Sequence, residues 1–458
     1  MSHQRPTAAP SEPDVHEHTP LPDGYALVPL GADDLRAVLE LDTATFPSAV
    51  EVDELLDLPF PLDWDRTLGV VRDHEDTTAL PVDGALPVRR DLVGMHSSYA
   101  FARFPVPGAT AAVAGLTWVG VHPGHRRRGL LSSMIDTHLA RCRERGEPLS
   151  ALFAAEAAIY GRFGYGKAAD DLRLTVPRGA ALRDVPGARR HTVRIERAER
   201  ARHGDLVASL HERAGADPTG QDTAINRPGW ATRETPALQA AFWDDAKVWR
   251  KDREPTRIAI VELDGEPRGY ARFHRKLSWE VTGPRGPVST GEVVALDAAA
   301  ARALWGVLTD LDLTHEVTPF TLPVDDVVTS LLVDPRSASP RLADNLWVRV
   351  VDVAAALAGR RYAADVDVVV HLTDARLPDN AGRWRLRAAA FGDARAERTE
   401  DAADLSLDVR ELGAAYLGGT SLAALAAAGL VTEHTPGALA RASAAFGWPV
   451  APVCSWVF

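Results

Sequence analysis

The chain has 458 residues and a mass of 49.3 kDa, too long for one hydrophobic core, so we expect about two to four domains. Its net charge of −12 and pI near 5.7 argue against a nucleic-acid-binding protein, since such proteins usually carry a basic face. Two cysteines, Cys142 and Cys454, are too few for a disulfide framework, and no apolar run has the roughly 18 residues of a membrane-spanning helix. These features favour a multidomain cytoplasmic protein without a membrane or nucleic-acid partner.

The chain begins with residues 1–22, which carry Pro, His, Ser and Glu but almost no apolar side chains, so we expect a disordered tail. This segment lacks the basic start and the apolar centre of a secretory signal. Apolar spacing then predicts a strand over 25–28 and a helix over 33–46. Further strands are expected over 68–71 and 92–104.

The stretch from Leu116 to Tyr165 carries the most information. Leu116–Val121 is an apolar run of strand length that stops at the turn signal Pro123-Gly124. Apolar residues then recur at helical spacing from Leu130 to Cys142, so we expect a helix that begins near Arg127. The first N–H groups of a helix lack partners and its dipole is positive there, and arginines add forked donors. This junction therefore predicts a site for a pyrophosphate-bearing ligand.

A solvated basic turn is the alternative interpretation of the same residues. The pattern Arg-x-x-Gly is weak alone, because Arg143-Glu144-Arg145-Gly146 repeats it where the helix should end. Position distinguishes the two, since Arg126 to Gly129 opens a helix directly after an apolar strand. We therefore favour the anion site at residues 126–129.

Two longer strings resemble a known family. His-Arg-Arg-Arg-Gly-Leu-Leu at 125–131 and Ile-Tyr-Gly-Arg-Phe-Gly-Tyr-Gly at 159–166, with an aromatic last residue, resemble the Eis acetyltransferases of the GNAT superfamily. The acetyl-CoA loop of that superfamily usually has Gly or Ala where Leu131 stands. The resemblance is close over about residues 110–168 and looser elsewhere.

The resemblance implies acetyl-CoA as cosubstrate, with its pantetheine arm between the splayed strands that end at Val121 and Phe153. A fully paired strand is the alternative for residues 119–121. The cofactor-binding residues that the resemblance implies are Val119, Gly120, Val121, Arg126, Arg127, Arg128, Gly129, Leu130, Leu131, Ser132, Ala155 and Glu156.

Acetyl transfer to an amine needs a base, a stabilised oxyanion and a proton for the leaving thiolate. The residues alone favour Tyr160 as a packed aromatic in a Gly-rich turn, whereas the resemblance makes it the general acid. The resemblance also makes the terminal carboxylate of Phe458 the general base. An α-carboxylate with a pKa near 3.5 needs desolvation for that task. A terminus that is merely docked for stability remains the alternative.

The expected substrate pocket departs from the family pattern. Its lining residues are Phe46, Ser48, Trp118, Phe153 and Val457. Family members active on aminoglycosides often carry acids where Val457 and Ser48 stand, and one charge-assisted contact contributes about 1.5–3 kcal/mol. Acids within residues 51–54 could compensate. We expect a primary amine as substrate, with aminoglycosides acetylated at several positions as the leading class. Hydrophobic amines or protein lysines are an alternative, and a non-catalytic CoA-binding assembly module is another.

A second unit begins after the Pro- and Gly-rich residues 177–190. Helices near 204–213 and 304–311 and strands over 257–263, 269–274 and 291–296 imitate the order of the first unit. The counterpart of the phosphate loop, Asp297–Ala301, has an acid and no Gly or Arg cluster. We therefore expect a degenerate acetyltransferase-like domain that does not hold a pyrophosphate.

A further break at 334–340 precedes the third unit, in which strands are expected over 346–351 and 366–372. Its predicted helices lie over 353–357, 412–416, 422–428 and 438–446. The resemblance implies a sterol-carrier-like fold for this unit, although Ala and Leu runs such as these more often form an ordinary core than a lipid pocket.

The expected architecture is an α/β protein with mixed sheets, formed by two tandem GNAT-like domains and a sterol-carrier-protein-like α+β domain. The boundaries are a tail over 1–22, a catalytic GNAT domain over 23–176 that binds acetyl-CoA, a degenerate domain over 191–334, and a third domain over 341–458 whose terminus enters the active site. The family resemblance also implies a homohexamer. No metal site is expected, because the histidines are scattered without ligand spacing.

Overall fold

The computed structural model describes residues 19–60, 62–75 and 88–458. The predicted tail over 1–22 therefore lies mostly outside the described residues. Residues 19–22, which were expected to belong to it, are packed instead: the Thr19 N–H donates to the Asp136 carboxylate at 3.1 Å, and Leu21 packs near Leu130. The prediction is wrong at this end because one apolar side chain and one buried acceptor suffice to fix the segment.

The first domain is built on a sheet with helices on both faces. Its strands are β1 Tyr25–Pro29, β2 Leu68–Glu75, β3 Val88–Val106, β4 Ala109–Val121, β5 Leu149–Phe153, β6 Gly166–Lys167 and β7 Asp170–Arg173. Its helices are α1 Leu35–Thr45, α2 Val52–Leu56, α3 Leu130–Glu144 and α4 Ala157–Tyr160. Helix α3 buries the stripe that contains Met134, Ile135 and Leu139, as the helical spacing predicts.

The second domain has the same general order. Its strands are β8 Val176–Pro177, β9 Thr192–Arg197, β10 Arg257–Leu263, β11 Glu266–Arg275, β12 Trp279–Glu280, β13 Gly283–Pro284, β14 Gly286–Ala295 and β15 Thr314–Pro319. Its helices are α5 Arg200–Ala216, α6 Pro236–Trp243, α7 Lys247–Arg250, α8 Ala298–Leu308 and α9 Val327–Leu331. In its main sheet the strands lie in the order β8-β15-β14-β11-β10-β9, and β14 and β15 run parallel on either side of the crossover helix α8.

The C-terminal part completes the fold. Its strands are β16 Arg341–Asp344, β17 Leu346–Val350, β18 Val366–Thr373, β19 Gly382–Ala388, β20 Ala394–Arg398, β21 Leu405–Asp408 and β22 Val431–Glu433. Its helices are α10 Val353–Ala358, α11 Val409–Ala415, α12 Leu422–Ala427 and α13 Ala438–Phe446. Strands β18 to β22 form a separate sheet in the order β20-β19-β18-β21-β22.

One strand departs from the expected division of the chain. Strand β17 was assigned from the sequence to the third unit, but it pairs antiparallel with β5 and with β6 in the first sheet, whose order is β1-β2-β3-β4-β5-β17-β6. Behind it, Nη2 of the buried Arg349 donates to both carboxylate oxygens of Asp374, at 2.7 and 2.8 Å. The first and third domains therefore share a sheet and a core, so they pack as one unit.

Among the described residues, no helix is both long and apolar enough to cross a membrane.

Candidate active site

The centre of the first domain is the place where β4 and β5 separate. They pair in parallel from Val113 with Leu149 to Gly115 with Ala151, and β4 then continues for six residues beyond the last pair. A bulge against β3 interrupts this extension, because Trp118 adopts a φ of 52° and two residues there oppose one. The separation that the family resemblance implies is therefore present, and it leaves one edge of residues 116–121 without the β5 ladder.

The loop after β4 leads directly into α3. The spacing predicted that helix α3 begins near Arg127, but it begins at Leu130, because Arg127 and Gly129 take left-handed φ values of 61° and 82°. Gly129 is the N-cap and supplies no side-chain cap. The first amides of α3, over 130–132, therefore have no intrahelical partner. Arg126, Arg127 and Arg128 are exposed around them, which is the anion-binding geometry expected from the sequence.

Residues from the start of the described chain support this loop. The Tyr25 hydroxyl lies 2.9 Å from His125 Nδ1, and the two rings meet edge to face. The Thr19 side chain lies beside Gly129, so that a Cβ added at Gly129 would be 3.9 Å from it. The segment before β1 thus packs against the turn that precedes α3.

Tyr160 ends α4 on the α3 side of the sheet. It is 8% exposed and packs in a cluster with Leu116, Leu152 and Tyr165, against which Val119 also lies. Burial raises the pKa of Tyr160 to about 12, and the Glu156 carboxylate adds to the shift. Its phenol is therefore protonated at neutral pH. Ala155 and Glu156, expected on the β5 side of the gap, lie exposed just before α4.

The neighbouring Tyr165 already has a hydrogen-bond partner within the protein. Its hydroxyl lies 2.8 Å from Ser150 Oγ, which in turn lies 2.8 Å from His138 Nε2 on α3. Tyr160 meets the Tyr165 ring edge to face at 5.9 Å, but within the described chain no protein group hydrogen-bonds the Tyr160 hydroxyl. Of these two tyrosines, Tyr160 therefore keeps its proton available to a ligand.

The last residue of the chain lies at the same separation. The Phe458 side chain is 9% exposed and meets Phe101, Phe153 and Tyr99 edge to face at 4.9, 5.2 and 6.5 Å. A Cβ added at Gly115 would lie 2.9 Å from Cε2 of Phe458. The ring therefore sits directly on the last β4 residue that pairs with β5.

Tyr160 and Phe458 approach the gap from opposite faces of the sheet. Ala114 and Leu116 point into the cluster that contains Tyr160, while Gly115 between them faces Phe458. Successive residues of a strand alternate between faces, so the two groups lie on either side of β4. A linear ligand that passes through the gap would meet one group on each side.

The expected substrate-pocket residues are brought together only in part. Phe153 contacts Phe458, and Trp118 meets Phe60 edge to face at 4.5 Å. Helix α1 reaches this group through Thr45, whose side chain would lie 3.2 Å from a Cβ at Gly120.

The remaining expected pocket residues face solvent. Phe46 is 40% and Val457 51% exposed, and the exposed Ser48 accepts a hydrogen bond from the Val50 N–H. Of the acids that were expected to compensate, Asp53 already pairs with Arg36 at 2.7 Å.

Sequence reasoning missed three aromatic residues and one acid. Tyr99, Phe101 and Trp456 complete the wall around Phe458, with Trp456 at 5.8 Å from its ring. Alternate aromatics at 99 and 101 of a predicted strand were a signal that both face one side. Asp42 on α1 lies one turn before Phe46, and burial raises its pKa to about 6. In the part of the chain that the structure describes, no group of three His, Cys, Asp or Glu side chains could hold a metal ion.

Comparison with known families gives three matches along the chain. Residues 28–168 and residues 229–350 each match a family described as "Acetyltransferase (GNAT) domain". Residues 353–455 match the "Sterol carrier protein domain". Two GNAT domains followed by a sterol-carrier domain were the architecture expected from the sequence, and that prediction is confirmed.

Relatives along most of the chain are acetyltransferases. An uncharacterized N-acetyltransferase of Streptomyces coelicolor is 44% identical over 361 residues, which cover 79% of this chain and 84% of that protein. N-acetyltransferase Eis of Mycobacterium tuberculosis is 33% identical over 387 residues, covering 81% and 88% respectively. The crystal structure of Eis1 from Mycobacterium abscessus superposes with a TM-score of 0.73 and 28% identity, over 94% of this chain and all of that one.

Proposed function

This chain belongs to the Eis family of N-acetyltransferases, and we propose that it transfers the acetyl group of acetyl-CoA directly to a primary amine, with Tyr160 as general acid and the Phe458 carboxylate as general base. One observation carries the proposal. Phe458 and Tyr160 flank the separation of β4 and β5 from opposite faces, and the anion-binding end of α3 lies beside the same gap.

The proposed acetyl-CoA site follows from the open backbone groups. The pyrophosphate binds the uncapped amides over 130–132 and the arginines over 126–128, since both offer donors at the positive end of α3. The pantetheine arm runs along Val119–Val121 on β4, with residues 155–156 on the other side of the gap. GNAT domains use acetyl-CoA, so this is the cosubstrate of the family to which the chain belongs.

In the proposed reaction the amine nitrogen attacks the thioester carbonyl carbon. A C–N bond forms, the C–S bond breaks, and the Phe458 carboxylate takes the proton that the amine loses. Tyr160 donates its phenolic proton to the departing sulfur; its raised pKa keeps that proton in place at neutral pH, and no protein group among the described residues competes for its hydroxyl. The role of base requires that the site desolvate this carboxylate, because desolvation makes it a stronger base than a solvated terminus.

Aminoglycosides are the leading substrate class that we propose. Asp42 supports this class, because a half-buried carboxylate with a pKa near 6 gains from a cationic partner. The aromatic wall favours a second candidate, a hydrophobic amine, since Val457 and Ser48 bring no charge to their positions. Release of CoA thiol with tobramycin, kanamycin, an arylalkylamine and a lysine peptide would rank these classes.

Two variants test the assigned groups. Tyr160→Phe removes one hydroxyl and should lower kcat by about 100-fold or more with unchanged acetyl-CoA binding, in line with the usual size of general acid catalysis. Two glycines appended to Phe458 move the carboxylate out of the gap and should abolish turnover. Phe163→Leu, which alters the same cluster without touching a hydroxyl, is the control. An extended protein with native activity would refute the terminal base, and a fully active Tyr160→Phe would refute the acid.

We also propose that the chain assembles as a homohexamer, as the family resemblance implies. Light scattering of the purified protein tests this proposal directly. A mass close to 49.3 kDa would refute it.

A further inference from the structure

We infer that Glu292 of the second GNAT domain positions the end of the chain, by holding Ser455 so that the Phe458 carboxylate meets the substrate. This inference rests on the proposed function of Phe458. Glu292 is a buried carboxylate that has no role in the proposed chemistry, and positioning the tail would account for it.

Glu292 lies on β14 and is 3% exposed. Its Oε1 accepts hydrogen bonds from Ser455 Oγ and Arg233 Nη2, both at 2.7 Å, and its Oε2 accepts one from the Tyr270 hydroxyl at 2.6 Å. His211 Nε2 lies 3.0 Å from the same Ser455 Oγ. A buried carboxylate is retained only when its oxygens are bonded in this way, and one of the bonds here reaches 163 residues along the chain.

The residues on either side of Ser455 are held as well. The Cys454 N–H donates to Asn345 Oδ1 at 2.8 Å, and Asn345 Nδ2 donates to the Cys454 carbonyl at 3.1 Å. Trp456 Nε1 donates to the Ala231 carbonyl at 2.8 Å, and the Arg233 guanidinium lies over the Trp456 ring at 5.2 Å. Every residue from Cys454 to Trp456 therefore has a polar anchor on other parts of the chain.

The path from this anchor to the gap is short. Phe458 lies three positions beyond Ser455, and an extended chain covers at most about 3.6 Å per residue. A fixed Ser455 therefore restricts Phe458 to a radius of roughly 11 Å. Contacts of the Phe458 ring with Phe101 and Phe153 then select one position within it. Glu292 and Ser455 act as positioning residues, because neither touches the reacting atoms.

The matched variants are Ser455→Ala, Ser455→Thr and Ser98→Ala. Ser455→Ala removes one hydroxyl and leaves Glu292 bonded to Arg233 and Tyr270, so the core of the second domain is preserved. Ser455→Thr restores the hydroxyl. Ser98→Ala is the control, since Ser98 is also buried and accepts a hydrogen bond from a charged group, Arg66, on the face of β3 opposite to Tyr99 and the tail.

Two readouts are measured on the full-length protein: steady-state acetylation of the best amine, and the rate at which carboxypeptidase A releases Phe458. Ser455→Ala should lower kcat at least tenfold with an unchanged KM for acetyl-CoA, and should speed the release of Phe458 at least tenfold. Ser455→Thr should restore both values, and Ser98→Ala should change neither. Glu292→Gln should repeat the Ser455→Ala pattern.

Wild-type kcat in Ser455→Ala, or wild-type release of Phe458, would overturn the inference. A wild-type protein that acetylates no amine would refute the proposed function separately, while the carboxypeptidase rates would still decide whether Glu292 holds the tail.

Discussion

Gly115 offers a way to move Phe458 without altering either proposed catalytic group. Gly115 is the last β4 residue paired with β5, and a Cβ built on it would lie 2.5 Å from Cε2 of Phe101 and 2.9 and 3.0 Å from Cε2 and Cδ2 of Phe458. Ordinary carbon contacts begin near 3.4 Å. In Gly115→Ala the Phe458 ring must therefore shift by roughly 0.5 Å and the Phe101 ring by roughly 1 Å.

The shift predicts a large loss of activity for a modest loss of stability. Overpacking of this kind costs about 1–3 kcal/mol in the free energy of unfolding, whereas a misplacement of about 1 Å at a reacting group can cost about 100-fold in rate. We therefore expect kcat to fall by about 10- to 100-fold while the protein stays folded. The acetyl-CoA affinity should stay the same, because the arginines and the α3 amides are untouched.

Steady-state thiol release and calorimetric titration of CoA measure these two quantities. Gly94→Ala is the matched control in the same sheet, because the nearest atoms to its added Cβ lie at 3.4 to 3.6 Å, which is ordinary contact. It should retain kcat. A Gly115→Ala protein that binds CoA and turns over at the native rate would show that the position of Phe458 does not govern the reaction.

Three further predictions concern the phosphate loop, the acid and the anchor. Gly129→Ala and Gly146→Ala both place Ala at a left-handed φ, of 82° and 69°, at opposite ends of α3, so each should cost about 1 kcal/mol in unfolding free energy. Only Gly129→Ala should also raise the KM for acetyl-CoA. Equal KM values in the two variants would contradict the loop assignment. Because burial raises the pKa of Tyr160 to about 12, kcat should not decline between pH 8 and about pH 10, and a decline that disappears in Tyr160→Phe would contradict this. Burial alone would raise the pKa of Glu292, but Arg233 and His211 outweigh it and lower the pKa from 4.5 to about 2. The ionised carboxylate therefore stabilises the fold by about 3 kcal/mol above pH 4.5, and this contribution disappears as the pH falls towards 2. Thermal unfolding between pH 6 and 3 should therefore depend less steeply on pH in Glu292→Gln, and an unchanged slope would refute the assignment.

Local pattern predicted much of the secondary structure. Strand 257–263 and helix 438–446 have the predicted bounds, since each is a short segment with clear apolar spacing between turn residues. The helix expected over 304–311 instead spans Ala298–Leu308. The sequence also signals the observed start, because Asp297, a favourable N-cap residue, precedes a run of Ala. In the structure its carboxylate caps the helix by accepting the Ala300 N–H at 2.8 Å.

Long-range partners could not be predicted from periodicity. The insertion of β17 between β5 and β6 joins residues nearly two hundred positions apart, and the bond from Ser455 to Glu292 spans 163. Apolar spacing states which face of a strand is buried, but not which strand lies beside it. Tyr99, Phe101 and Trp456 were missed for the same reason, because they meet Phe458 only after β3 and the tail converge.

The two GNAT domains differ at the helix end where the first carries the proposed cofactor site. In the first domain Gly129 caps α3 without a side chain, so its leading amides stay open to a phosphate. At the matching end of α8, the Asp297 carboxylate accepts the Ala300 N–H and is itself neutralised by Arg268 at 2.7 Å. The Asp297 carboxylate therefore occupies the N-terminus of α8, and a pyrophosphate would have to displace it.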